Sequence, residues 1–344
     1  MTYIIGEIGQ NHNGSPAMAK ALIELVAEPI QEPVFGYTLK PIDAIKLTKR
    51  DLSEELTGSQ MKRPYEGRNS FGPTYGEHRA ALELSDEEHR EVFLHAKGLG
   101  LDCVETICSI GAMSVLKAFT PDRLKVASRD LTNIPLLEAL AETKIPMIIS
   151  TGMAGERELE AAVQVITRYH SDLSILHCVS QYPTDPHRVN FQTIPYLKEK
   201  YPQFKIGYSD HTIGIMAPIV AAAKGAEIIE KHITLHRGLR GTDQAGSLAP
   251  DGITRMVRDI RLLEQGEGIY GIFADPVVNG AREKLERSIA AKVGIPKGQV
   301  IREGDIHLLS PGTGLNWLEK GKVIGRKATK DLPKDELINE EDME

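Results

Sequence analysis

The sequence predicts a (β/α)8 barrel followed by a small appended module. Short β-branched runs alternate with amphipathic helical stretches across the first roughly 260 residues. No GxGxxG turn follows the first run, and the sequence changes character near Glu283. The predicted strands are Tyr3–Gly9, Asp43–Lys49, Asp102–Cys108, Arg123–Arg129, Pro146–Gly152, Leu173–Val179, Lys205–Asp210 and Glu227–Thr234. Between them, 85–100 reads as a helix with Ser85 as N-cap and Gly98 and Gly100 as stop signals. Stretches 133–143, 155–169 and 215–225 read the same way. A doubly wound sheet would also alternate, but Gly9-Gln10-Asn11-His12-Asn13-Gly14 lacks the glycine spacing such a sheet usually shows.

One connection is far too long. Asp51 to Leu84 carries Lys62, Arg63, Tyr65, Arg68, Asn69, Tyr75 and Arg79. Loops beyond about 15 residues are usually lids, binding loops or disorder. Its place after a barrel strand favours a lid over the plainer mobile surface loop. The barrel is assigned to 1–267, a linker to 268–282 and the module to 283–344. The module repeats one idea, a short strand, then IPKG or LPKD, then EGD or NEED.

Composition narrows the function classes. A net charge of −7 argues against sequence-independent nucleic-acid binding without excluding a small anionic substrate. Cys103, Cys108 and Cys178 form no CxxC pair and fit reduced thiols. The first strand reaches Glu7 with no basic region before it, unlike a signal peptide. No apolar run approaches the roughly 20 residues that span a bilayer. The expectation is a cytoplasmic protein without a nucleic-acid or membrane partner.

A barrel of this kind places its active site at the C-terminal ends of the strands. Nearly every predicted strand ends in polar or ionisable residues. Lys46 and Lys125 come from different strands, accompanied by Thr106, Ser128, Ser150 and Ser209. Two cations with several neutral donors suit the phosphate and carboxylate of one small molecule, although a single buried lysine more often serves a salt bridge. His211 and His232 end neighbouring strands, with Glu230 on the same face as His232. That set suits Mn²⁺, Fe²⁺ or Zn²⁺ as a Lewis acid, although a lone histidine is more often structural. Asp243 is a candidate for a sugar hydroxyl or a metal-bound water.

GEIGQNHNGS, LKVASRD, ISTGMA, LHCVSQYPT, IGYSDHTIG and EKHITLHRGLRGTDQAGSL resemble, in order and spacing, the signature segments of the sialic acid synthase family. The tail, GIPKGQVI through LPKDE, resembles that family's antifreeze-like (SAF) domain, a small β-clip. The resemblance implies a phosphoenolpyruvate-dependent, carbon–carbon bond-forming transferase that makes a 3-deoxy-2-ulosonic acid from a hexosamine-type sugar aldehyde and releases phosphate. It implies Lys46, Thr106, Lys125, Ser128, Ser150 and Ser209 as phosphoenolpyruvate ligands. His211 and His232 would hold a divalent metal, Mn²⁺ first and Mg²⁺, Co²⁺, Fe²⁺ or Zn²⁺ as alternatives. Glu7, Tyr182 and Asp243 would face the sugar, and Asn69 of the long loop is a further substrate-binding candidate. Glu7, Lys46, Lys125 and Asp243 form the expected catalytic group. A domain-swapped homodimer is also implied.

Departures from the family's pattern fall on the sugar side. Thr48 stands where the family commonly has an amide, Arg129-Asp130 where many members have Gly-Glu, and Thr106-Ile107-Cys108 where TPF is frequent. Ser310 occupies the position of an arginine that reaches the partner's substrate. These changes predict poor use of N-acetylmannosamine, with Lys62, Arg63, Arg68 and Arg79 serving an acidic or phosphorylated acceptor. A synthase acting on another aldose, and a barrel that binds sugars without catalysis, are the alternatives.

Overall fold

The computed structural model describes all residues, 1–344. They form two compact units, Met1–Gly268 and Ile269–Glu344. The first contains β1 (Tyr3–Gly9), β2 (Ile30–Glu32), β3 (Tyr37–Leu39), β4 (Ala44–Lys49) and β5 (Asp102–Ile107). It continues with β6 (Arg123–Val126), β7 (Met147–Ser150), β8 (Leu173–Cys178), β9 (Lys205–Asp210) and β10 (Ile228–His232). β1 and β4 to β10 close into a barrel of parallel strands, β4 pairing back onto β1. Every predicted strand is present, some a residue or more shorter. β6, β7 and β10 each lose three residues, β6 because Ser128–Asp130 turns into a 3-10 helix. The β2–β3 hairpin is absent from the sequence reading, since three-residue strands carry no measurable period.

Two residues separate plug from site on most strands. Ile5, Ala44, Val104, Ile148, Leu176 and Ile228 form one buried apolar cluster. Strand side chains alternate faces with period two, so the next inward layer is Glu7, Lys46, Thr106, Ser150, Cys178 and Glu230. Gly207 belongs to the plug on β9: a Cβ there would lie 2.5 Å from both the Ile228 carbonyl oxygen and Leu176 Cδ2.

The helices outside end where their sequences say. The Ser85 hydroxyl accepts from Glu88 N, and the Glu88 carboxylate accepts from Ser85 N at 2.7 Å, starting the helix Asp86–Gly98. The long segment after β4 is folded. It holds short helices at Leu52–Glu55, Gly58–Met61 and Tyr75–Ala80, begun by Asp51, Thr57 and Thr74 caps. Tyr65 packs on His78 at 4.5 Å between ring centroids and edge-on to Tyr75 at 5.3 Å.

In the second unit β11 (Ser288–Ala291) pairs antiparallel with β12 (Ile306–Leu309). The repeat seen in the sequence is structural. Pro296–Gln299 and Pro333–Glu336 are turns whose third residues, Gly298 and Asp335, have φ of 81° and 67°. Asp305 and Asp342 then accept from the backbone N–H of Arg302 and Asn339, each at 2.9 Å. The expected linker, apart from Gly268, clusters with this unit, and the helix Asn279–Leu285 starts within it and runs past its end. Gly312 N donates to Glu283 O, and Ser310 Oγ to Leu285 O at 3.0 Å.

Candidate active site

The C-terminal mouth of the barrel opens on a cavity of about 340 Å³. Glu7, Lys46, Thr106, Lys125, Ser128, Ser150, Tyr182, Ser209, His211, His232 and Asp243 all line it. Asn69 does not: it lies in the 67–70 turn of the long segment, outside the cavity lining. The same segment contributes Tyr65, Tyr75, His78 and Arg79 instead. Arg50 was missed by the sequence reading, although it stands two and four residues beyond Thr48 and Lys46 on the same face of the strand path. Arg129 figured only as a departure, yet it lines the cavity beside Ser128.

The floor is a buried charge network. Lys46 Nζ lies 2.7 Å from Glu7 Oε2, 3.6 Å from Glu230 Oε1 and 3.1 Å from Thr106 Oγ1. Ser209 Oγ donates to Glu230 Oε1 at 2.9 Å. Burial alone raises the Glu230 carboxyl, but Lys46 and Lys125 outweigh it and hold it down to about 2. Glu7 moves the other way. Burial pushes it up to about 7, with Glu230 adding to the rise and Lys46 opposing it. Lys125 Nζ donates to the Val126 carbonyl at 3.1 Å and has no carboxylate within ion-pair distance. Burial lowers its pKa, with Lys46 adding to that effect and Glu230 opposing it. Ser150 Oγ is buried without a hydrogen-bond partner. An ammonium and a hydroxyl left short of acceptors are what an incoming anion would satisfy.

At the ends of β9 and β10 lie the two imidazoles, 5.7 Å apart between ring centroids. Burial and the neighbouring His232 bring His211 down to about 4, and burial lowers His232. Both are therefore neutral at pH 7, the form that ligates a metal. His211 Nδ1 donates to Val179 O at 3.0 Å, and His232 Nδ1 is buried with no partner. No third His, Cys, Asp or Glu completes a cage. The donor set fits a divalent ion held by two imidazoles with positions open for substrate. The Tyr182 ring covers His211 at 4.0 Å.

Two buried brackets fix this half of the site. Asp210 accepts from Lys231 Nζ, from Tyr208 OH at 2.9 Å and from Thr212 N at 2.9 Å, tying together the strand ends that carry both histidines. Lys231→Met would leave that carboxylate short of its cation in the barrel wall. The expected loss is about 3 kcal/mol, at the lower end for a broken buried pair because the other donors remain. Urea unfolding checks this, and an unchanged midpoint contradicts it. The second bracket sits under Asp243. Gln244 Nε2 donates to Asn11 O and to Asn13 Oδ1, both at 3.2 Å, and Ser247 Oγ donates to Asp243 O at 2.7 Å. Asn11 and Asn13 thus act from the first strand's end to hold the last loop, a role no sequence signal separates from turn formation.

The sequence matches the NeuB family over residues 40–270 and the SAF domain over residues 286–344. It is 32% identical to the N-acetylneuraminate-9-phosphate synthase of Homo sapiens, covering 98% of this chain and 92% of that protein. It is equally 32% identical to the N,N'-diacetyllegionaminic acid synthase of Legionella pneumophila, covering 96% and 91%. The N-acetylneuraminic acid synthetase structure from Leptospira borgpetersenii, in complex with citrate, superposes with a TM-score of 0.67 at 30% identity, covering 81% of this chain and 90% of that one. On both the match and the identities, the chain belongs to the NeuB family and carries a SAF domain at its C-terminal end.

Proposed function

We propose that this enzyme condenses phosphoenolpyruvate with an open-chain sugar aldehyde to give a 3-deoxy-2-ulosonic acid and inorganic phosphate. The observation that carries the reading is the division of one cavity into two halves. A floor of Lys46, Lys125, Thr106, Ser150 and Ser209 and the two imidazoles at the ends of β9 and β10 line the same cavity.

In this reading C3 of phosphoenolpyruvate attacks the aldehyde carbon, water adds at C2, and phosphate leaves with the bridging oxygen. Lys46, Lys125 and the hydroxyls bind the phosphate and carboxylate. The lysines also steady the negative charge that passes to the departing phosphate. Glu7 and Asp243 face the sugar. His211 and His232 would hold a divalent ion, Mn²⁺ first, which when bound supplies Lewis acidity to the aldehyde oxygen. Burial of the floor keeps water away until the nucleophile has been spent. A panel of sugars with phosphoenolpyruvate and Mn²⁺, read as released phosphate, tests the reading. Release with no sugar in the panel contradicts it.

The proposal includes a cytoplasmic homodimer. Its support is the exposed apolar run Ile269, Tyr270, Ile272 and Phe273 in the C-terminal unit, which a solitary chain leaves in water. Sedimentation velocity at micromolar concentration should give a dimer, and a monomer contradicts the assembly.

A further inference from the structure

On two strand paths the cations come in two storeys. Lys46 and Arg50 lie four residues apart along β4 and its continuation, Lys125 and Arg129 four apart along β6 and the turn after it. All four line the cavity, and so do Thr48 and Ala127 between them. At about 3.3 Å of rise per residue, the arginines stand up to about 13 Å nearer the mouth than the lysines. Arg79 joins them from the long segment after β4.

The three guanidiniums converge on one oxygen. Glu55 Oε1 lies 3.4 Å from Arg50 Nε, 3.3 Å from Arg79 Nη2 and 2.9 Å from Arg129 Nη1. Glu83 takes Arg50 at 3.0 Å and Asp130 takes Arg129 at 3.3 Å. None of these carboxylates lines the cavity. The anions stand behind, and the guanidiniums face in. Each guanidinium has five N–H donors, so these partners leave donors spare, and Arg79 Nε is buried with no hydrogen-bond partner. Arg79 also lies over the Tyr75 ring, 5.0 Å from its centroid, which limits its freedom.

We infer that this outer storey is a subsite for a phosphate monoester on the acceptor sugar, at the end of the sugar remote from its aldehyde. The inference rests on the condensation reading above. Phosphoenolpyruvate carries its carboxylate and phosphate on one carbon, so it occupies the lysine storey and is too short to reach both. An open-chain sugar with its aldehyde at the histidines extends toward the mouth, where the arginines stand. Three planar forks match a dianion far better than a neutral hydroxyl. The expected basic contacts from Lys62, Arg63 and Arg68 are corrected: none lines the cavity, and Arg68 donates to Gly238 O at 3.4 Å instead.

The test compares kcat/KM for N-acetylmannosamine 6-phosphate and for N-acetylmannosamine, read as phosphate release from phosphoenolpyruvate with Mn²⁺. Wild type, Arg129→Gln and Arg79→Lys are assayed, Arg129 being partly exposed and so safe to replace. Wild type should favour the phosphorylated sugar by about tenfold or more, and Arg129→Gln should cut that preference by about tenfold. Arg79→Lys, which keeps the charge but not the fork, should fall between. Calorimetric titration of the sugar phosphate should show the same weakening in Arg129→Gln. Equal or better use of the neutral sugar by wild type overturns the inference. So does a KM for phosphoenolpyruvate that rises in Arg129→Gln as much as the KM for the sugar phosphate, because that places phosphoenolpyruvate's own phosphate there. Binding without turnover, weakened in Arg129→Gln, would keep the subsite and sink the condensation reading. Absence of both binding and turnover of the sugar phosphate overturns the subsite.

Discussion

Lys125→Met is expected to abolish turnover, by about a thousandfold or more, while leaving the fold as stable as before or more so. A buried cation aimed at a transferring phosphate stabilises charge that develops only as the bond breaks, and losing such a group costs on the order of 3–4 kcal/mol of barrier. Stability moves differently because Lys125 has no carboxylate partner within ion-pair distance: its only hydrogen bond is to the Val126 carbonyl. Removing a buried charge without an ion-pair partner relieves a desolvation cost, which offsets the lost attraction to Glu230. Lys46→Met makes the contrast, since it would strand Glu7 and Glu230, which Lys46 meets at 2.7 and 3.6 Å. That variant should lose both activity and about 3–5 kcal/mol of stability. Paired urea melts and initial rates check the two together. An active Lys125→Met enzyme would remove the anion site from the account.

His232→Ala is expected to cost about a hundredfold to a thousandfold in kcat, and added Mn²⁺ should not restore it. Two imidazoles alone are offered to the ion, so losing one leaves a single protein ligand, too few to hold it. An aldehyde without its Lewis acid is a poor electrophile. The buried Nδ1 of His232 has no protein partner to lose, so the fold should survive the change. Chelation and dialysis of wild type should give a similar loss, reversed by Mn²⁺. Normal turnover of His232→Ala after chelation would end the metal role.

The barrel and most of its floor were legible because both rest on period two. Once β4 is read as a strand, Lys46 must point inward, and its neighbours Ala44 and Thr48 must share that face. The same parity pointed to Arg50, but it fell between the predicted strand, which stopped at Lys49, and the connection taken to begin at Asp51. The segment 51–84 hid its role for a different reason. Its helices are four to six residues long, set by the caps Asp51, Thr57 and Thr74, and such turns show no hydrophobic period. Asn69 and Arg79 look alike in sequence, two polar residues of one loop. Only the tertiary contacts separate them: Arg79 meets Glu55 at 3.3 Å and lines the cavity, while Asn69 stays outside it. The Asn11–Gln244 contact joins residues 233 apart, and no local pattern encodes it.

The central claim is that the lysine floor and the two histidines act on one pair of substrates in one turnover. The direct measurement is mass spectrometry of a reaction of purified enzyme, Mn²⁺, N-acetylmannosamine 6-phosphate and phosphoenolpyruvate labelled with ¹⁸O at the oxygen bridging C2 and phosphorus. The account predicts a ulosonic acid longer than the acceptor by the carbon skeleton of pyruvate, one phosphate released for each, and the label in that phosphate. Phosphate released without an elongated acid, or an elongated acid with the label retained at C2, would contradict it.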